Sequence, residues 1–198
     1  MLLIEVTTIP DAALPVEPLK AHLRLGTGFG EDTLQDDVLK GFLRAAIAAI
    51  EARTGKVLLS RSFAWTLVAW RNGEGQALPV APVSAVTQVV LSDKLGTETV
   101  VDAGSYRLEV DTHRPKLRPM GSCLATIPTG GSARVEFDAG IAADWDGLPN
   151  DLGQAVLLLA AHYYEYRSEN QLSDGCMPFG VTSLIQRYRL AQISVGGA

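Results

Sequence analysis

Leu148-Pro149-Asn150-Asp151 opens a long apolar segment that runs through His162-Tyr163-Tyr164-Glu165-Tyr166-Arg167. After a break come Met177-Pro178-Phe179-Gly180-Val181 and Leu184-Ile185-Gln186-Arg187-Tyr188-Arg189. Asn150 or Asp151 can cap a helix whose Leu152, Val156, Leu159, Ala160 and Tyr163 recur along one face. No catalytic constellation is embedded in this order of helix, Pro-Phe-Gly loop and basic aromatic segment, so it reads as an assembly element.

The other end of the chain has the same helical period. Pro18 to Leu25 makes a short amphipathic segment that stops at Gly26. A second helix is expected from Asp32, an N-cap with Gln35 three residues on, to Gly55, a suitable C′ residue. Within it Leu34, Val38, Phe42, Ala45, Ala46, Ala49 and Ile50 recur at helical steps and predict the buried stripe.

From Leu58 to Gly140 the period changes to two. Phe63, Trp65, Leu67 and Ala69 alternate with Ala64, Thr66, Val68 and Trp70, and Tyr106, Leu108 and Val110 alternate with charged neighbours. Val83 to Leu91 and Thr97 to Val101 flank Asp93-Lys94-Leu95-Gly96, a hairpin turn with glycine where φ is positive. Arg134 to Phe137 reads as the last strand, and Pro79, Pro82, Pro115, Pro119 and Pro128 confine several segments to edges or loops. The expected fold class is α+β: N- and C-terminal helices form a bundle with an inserted antiparallel β domain, a small sandwich or barrel. The boundaries are 1–56 for the first helical part, 57–147 for the β domain, 148–190 for the second helical part and 191–198 for an extended tail.

The chain has 198 residues, enough to bury a core without disulfides or metals. Its 22 acidic side chains exceed its 17 basic ones, which argues against simple nucleic-acid binding as the main property of the surface. Cys123 and Cys176 lie far apart, with no ligand spacing for zinc, and read as free thiols. Met1-Leu2-Leu3-Ile4-Glu5-Val6 lacks a basic n-region, and Ala155 to Ala161 is too short to span a bilayer. A soluble intracellular chain is expected.

The candidate chemistry is sparse. Gly26-Thr27-Gly28-Phe29-Gly30 precedes a helix but lacks the preceding strand and the lysine of a phosphate loop, so it reads as a helix-to-helix loop. His22, His113 and His162 sit in separate segments without triad or metal spacing, and Ser122 is not in a nucleophile elbow. Asp138, Asp144, Asp146 and Asp151 gather around Trp145, yet match no calcium loop and read as a solvated turn. Tyr163, Tyr164, Tyr166 and Arg167 suit core and interface better than base stacking, because adjacent helical positions diverge. No enzyme, cofactor or metal site is expected.

Several of these segments, in this order, resemble the head–tail connector, or adaptor, proteins of tailed phages and gene transfer agents. The resemblance runs through Leu19-Lys20-Ala21-His22-Leu23-Arg24-Leu25, Ala45 to Gly55, Leu78-Pro79, Pro82-Val83-Ser84-Ala85-Val86, Ser105-Tyr106-Arg107 and Val135-Glu136-Phe137-Asp138-Ala139-Gly140. It continues in Pro149 to Arg167, Pro178-Phe179-Gly180-Val181, Leu184 and Tyr188-Arg189, while Met120 to Gly131 departs from the pattern.

The resemblance implies a structural adaptor: a homo-oligomeric ring on the portal at the capsid vertex, matching its twelve-fold symmetry and receiving tail-side stopper or terminator proteins. DNA would pass through its channel without sequence-specific binding. The subunit would be made in the host cytoplasm and reside in the virion neck. The resemblance places portal contacts on the C-terminal segment, hence Phe179, Leu184, Ile185, Arg187, Tyr188, Arg189, Leu190, Ile193 and Val195. A ring needs complementary head-to-tail surfaces, for which Phe42, Arg53, Tyr164, Tyr166 and Arg167 are the candidates. The alternative reading is a carbohydrate- or receptor-binding virion protein whose β domain presents Trp65, Trp70 or Trp145.

Overall fold

The structure, a computed structural model, describes residues 1–25, 33–167 and 177–189. Alternation builds its β unit. In β2 (Arg61–Leu67) and β8 (Ser132–Ala139) every second residue is buried: Phe63, Trp65 and Leu67 on one strand, Ala133, Val135, Phe137 and Ala139 on the other. The strands pair antiparallel with Phe63 opposite Phe137, their rings stacked at 5.7 Å, and Trp65 opposite Val135. A slip of one residue would turn both apolar rows to solvent.

β4 (Val83–Ser92) flanks the other side of β8 and returns through the expected turn to β5 (Glu98–Val100). Gly96 there has φ 84°, and Asp93 Oδ1 accepts the N–H groups of Leu95 and Thr97. β1 (Leu2–Glu5) pairs with β2, so the sheet order is β1-β2-β8-β4-β5. The last strand in sequence therefore lies in the middle. A second sheet has the order β3-β7-β6, from Gln76–Ala77, Lys116–Pro119 and Tyr106–Glu109.

The fold class is α+β with antiparallel sheets, and among the described residues no barrel closes. Among the described residues β1 and β5 each have one strand partner and remain sheet edges. β1 also falls within 1–56, which periodicity assigns to helix; four residues are too few to display a period of two. Met1–Ile9 and Leu59–Ala143 form the β unit, and Pro10–Leu58 with the described residues from Asp144 onward form the helical unit.

In the helical unit, α1 (Val16–His22), α2 (Thr33–Thr54), α3 (Asn150–Glu165) and α4 (Phe179–Ile185) bury one another's apolar faces. α3 lies against the other three. Its buried Leu152, Ala155, Val156, Leu159 and Ala160 follow the expected helical spacing. α2 differs from expectation in phase. Leu39, Leu43, Ala46, Ile47 and Ile50 are buried, whereas Val38 and Ala45 are exposed and Phe42 and Ala49 half-buried. Both sets have helical spacing, and the set with the bulkier aliphatic groups removes more apolar area from water. The expected Asp32 cap and the Gly26–Gly30 loop lie outside the described residues. Among the described residues no helix is long and apolar enough to cross a membrane.

α2 stops at Gly55, whose φ of 68° takes the left-handed conformation and whose N–H bonds the Glu51 carbonyl at 2.8 Å. Beyond it the chain turns back, and the Leu58 N–H donates to Glu51 Oε1 at 2.7 Å. Burial pushes the Glu51 carboxyl up to about 7, against the lowering effect of that bond. A carboxyl whose folded value is raised favours the folded state most fully below about pH 4.5, and this contribution is lost as pH rises through about 7. By linkage the loss is ~3 kcal/mol. Glu51→Gln should therefore flatten the fall in thermal midpoint between pH 5 and pH 8, as measured by circular dichroism. An unchanged pH profile would show that Glu51 does not govern it.

Candidate assembly surfaces

The C-terminal corner of the helical unit is held by one carboxylate. Asp151, in the first turn of α3, accepts the Tyr188 hydroxyl at 2.8 Å on Oδ1 and pairs with Arg187 Nη2 at 2.8 Å on Oδ2. Arg187 also donates to the Tyr188 hydroxyl at 2.5 Å and stacks its guanidinium 4.8 Å from the ring centre. Burial leads the upward shift of the Tyr188 phenol, so it stays a neutral donor to Asp151 at ordinary pH. Arg187 and Tyr188 thus fasten the last described turn to the start of α3.

The residues expected to meet a partner separate into three groups. Ile185 is fully buried beside the equally buried Val181, which corrects its assignment as a surface contact: it packs inside the helical unit. Arg187 and Tyr188 are engaged by Asp151, and Leu184 is half-buried. Phe179 is 87% exposed at the first position of α4, and Arg189 is exposed. A benzyl group exposed on a helix has no role in the packing of the described residues. Leu190, Ile193 and Val195 lie outside the described residues, as does Cys176; Cys123 is an exposed free thiol.

A second group surrounds the C-terminal end of α3. Phe42 of α2 meets Tyr164 edge to face at 6.1 Å, and Gln35 Nε2 donates to the Tyr164 hydroxyl at 3.2 Å. The Arg167 guanidinium lies 4.4 Å from the centre of the Tyr164 ring and lowers the phenol's pKa. The Tyr166 ring is tilted at 46° to that of His162 with centres 4.6 Å apart, and Arg53 is exposed. Phe42, Tyr164 and Arg167 therefore form one cluster, while Tyr166 belongs to the wall of a cleft of about 370 Å³. That cleft is lined by His22, Leu158, His162, Glu165, Tyr166 and Val181 among others.

Sequence reasoning offered the exposed face of the helix from Thr33 to Arg53 as a subunit contact, and the structure shows which residues form that face. Val38, Gly41, Ala45, Ala48 and Ala52 are all exposed and recur at steps of three, four, three and four. This is a heptad seam of small groups, the spacing by which one helix accepts another at close range. Its spacing is visible in the sequence, but only the packing of Leu39, Leu43 and Ile47 on the opposite phase leaves it uncovered.

The other candidate chemistry does not converge. Asp144 Oδ1 accepts the Gly147 N–H at 2.9 Å, a turn bond, and among the described residues no three metal-ligating side chains come together. Trp65 is buried, Trp70 Nε1 donates to the Ala125 carbonyl at 2.8 Å, and Trp145 packs against Gly153. The tryptophans thus occupy three separate local settings.

Compared with known proteins, the chain matches no protein-family model and no curated protein. Among solved structures it is similar over its full length to chains of gene transfer agent particles. One, from the neck of an empty particle computed with C6 symmetry, is 51% identical with a TM-score of 0.89, covering 100% of this chain and 99% of that one. A chain from the virion of a native particle is 50% identical with a TM-score of 0.85 at the same coverage. A third, from the neck of a native particle computed with C12 symmetry, is 47% identical with a TM-score of 0.83, again at 100% and 99% coverage.

Proposed function

The chain belongs to the head–tail connector family of tailed phages and gene transfer agents, and we propose that it is a noncatalytic adaptor of the virion neck. In this reading twelve copies form a ring on the portal and present the opposite side to tail-side stopper or terminator proteins. The full-length likeness to neck chains, one of them in a particle computed with C12 symmetry, carries the proposal. At about half of all positions identical and nearly complete mutual coverage, the neighbours preserve the whole subunit.

A cyclic ring repeats one heterologous contact, so each subunit must present two different, complementary faces. The seam from Val38 to Ala52, bordered by Arg53, supplies one face. The Phe42, Tyr164 and Arg167 cluster sits at its margin and orients the approach. The four helices close as a bundle around α3, and this rigid body carries Phe179, Leu184 and Arg189, with the residues beyond, toward the portal. Asp151 keeps that segment in place through Arg187 and Tyr188. The ring's opening leaves a channel for DNA.

The direct test uses heads that contain portal but lack this chain. Added wild-type protein should bind them in a ring and restore tail joining. Protein lacking residues 190–198 should fold but bind at least tenfold more weakly. Undiminished joining by that truncated protein would rule out the proposed portal contact.

A further inference from the structure

We propose that the outer face of the three-stranded sheet is a contact surface for the phosphate backbone of duplex DNA. The acidic balance of the chain conceals a local reversal. Residues 70–78 and 106–119, which contain all three strands, carry five basic side chains against three acidic ones; the remaining residues carry twelve against nineteen. The β6–β7 register then concentrates the charge. Arg107 lies directly opposite Arg118, and Glu109 opposite Lys116, so these four share one face, while Leu108 and the fully buried Leu117 pair on the other.

Two arginines facing each other across a strand pair oppose folding, and one carboxylate must serve the whole group. Glu109 accepts Arg118 Nε at 2.6 Å and stands 3.7 Å from Lys116 Nζ. Arg118 Nη1 also donates to the Glu74 carbonyl at 3.1 Å, which fixes that guanidinium on the sheet. Arg107, on this face, and Arg114, in the connection between β6 and β7, are both exposed, and the Arg107 charge also acts on Glu109. The result is three cations and one carboxylate on one face, with Cβ atoms roughly 5 Å apart across strands and about 7 Å along them.

Duplex DNA offers the matching density, a charge about every 1.7 Å of axis, whereas folded protein surfaces intersperse both signs. None of the four residues on this face is aromatic, which favours the backbone of a duplex over stacked bases of a single strand. The contact is sequence-independent and weak, as a surface must be if DNA is to move past it. This goes beyond the connector role, and its test needs neither portal nor ring.

The full chain should bind a short labelled duplex at low salt, equally for unrelated sequences. With three phosphate contacts the affinity should fall roughly 40-fold between about 50 and 200 mM salt. Arg107→Ser combined with Arg114→Ser should reduce the log–log salt slope by nearly two, while Lys94→Ser on the β4–β5 turn leaves it unchanged. Absence of binding at low salt, equal weakening by Lys94→Ser, or tighter binding of polyglutamate than of DNA would each overturn the proposal.

Discussion

Ala48→Arg is expected to prevent ring formation on portal-containing heads while leaving the subunit folded. Ala48 is exposed in the free subunit, so a longer side chain there meets solvent and should change thermal stability by no more than about 0.5 kcal/mol. In the ring it would face a neighbouring helix at an interaxial distance of about 8–10 Å, where a guanidinium cannot fit without forcing the helices apart. Burying an unpaired charge at the contact adds to that steric cost. A loss of roughly 3 kcal/mol per contact is about 150-fold in association, and a closed ring repeats the contact at every subunit. Mass measurement of the portal complex should find isolated subunits or none, whereas Ala48→Ser, nearly equal in size, should give rings. Complete rings with Ala48→Arg would move the subunit interface away from α2.

Ile185→Ala and Phe179→Ala are expected to fail in opposite ways. Ile185 is fully enclosed, so removing its side chain should leave a cavity and cost ~3 kcal/mol, seen as a lower urea midpoint with unchanged slope. Phe179, six residues earlier in the same helix, is exposed among the described residues, and its loss should leave the midpoint nearly unaltered. Head attachment should respond in reverse: Phe179→Ala should weaken it by ~2 kcal/mol if the ring fills a pocket on its partner with this ring. Folded Ile185→Ala subunits, assayed well below their transition, should attach normally. Full attachment by Phe179→Ala would remove that residue from the portal surface.

The contrast between these two residues marks how far sequence reading reaches. Leu184-Ile185 is an adjacent apolar pair in a short basic segment, and the family resemblance gave both an outward role. The helix is only seven residues long, too short for its periodicity to announce an inner face. Contact with α3 selects Val181 and Ile185 for the interior. On α2 the difficulty is of another kind: two apolar stripes coexist, each with proper helical spacing. Alanine is compatible with either position, so the choice depends on the neighbour against which the helix packs.

Sequence by itself determined the longer elements and the change from helix to strand and back, because periods of two and 3.6 are local consequences of backbone geometry, whereas β1, β3 and β7, each of two to four residues, are too short to show a period. It also located the Asp93–Gly96 turn and the Gly55 stop, where a positive φ is needed within a few residues. The ordered set of short motifs was enough to suggest the connector family. Only tertiary structure decided that β8 lies at the centre of its sheet, that β1 joins β2, and that α2 turns Leu39 and Leu43 inward. It alone aligned Arg107 with Arg118 and brought Tyr188 to Asp151. Those results depend on pairing between segments remote in the chain, where the free energy of burial and of charge is set by the partner and not by the neighbouring residue.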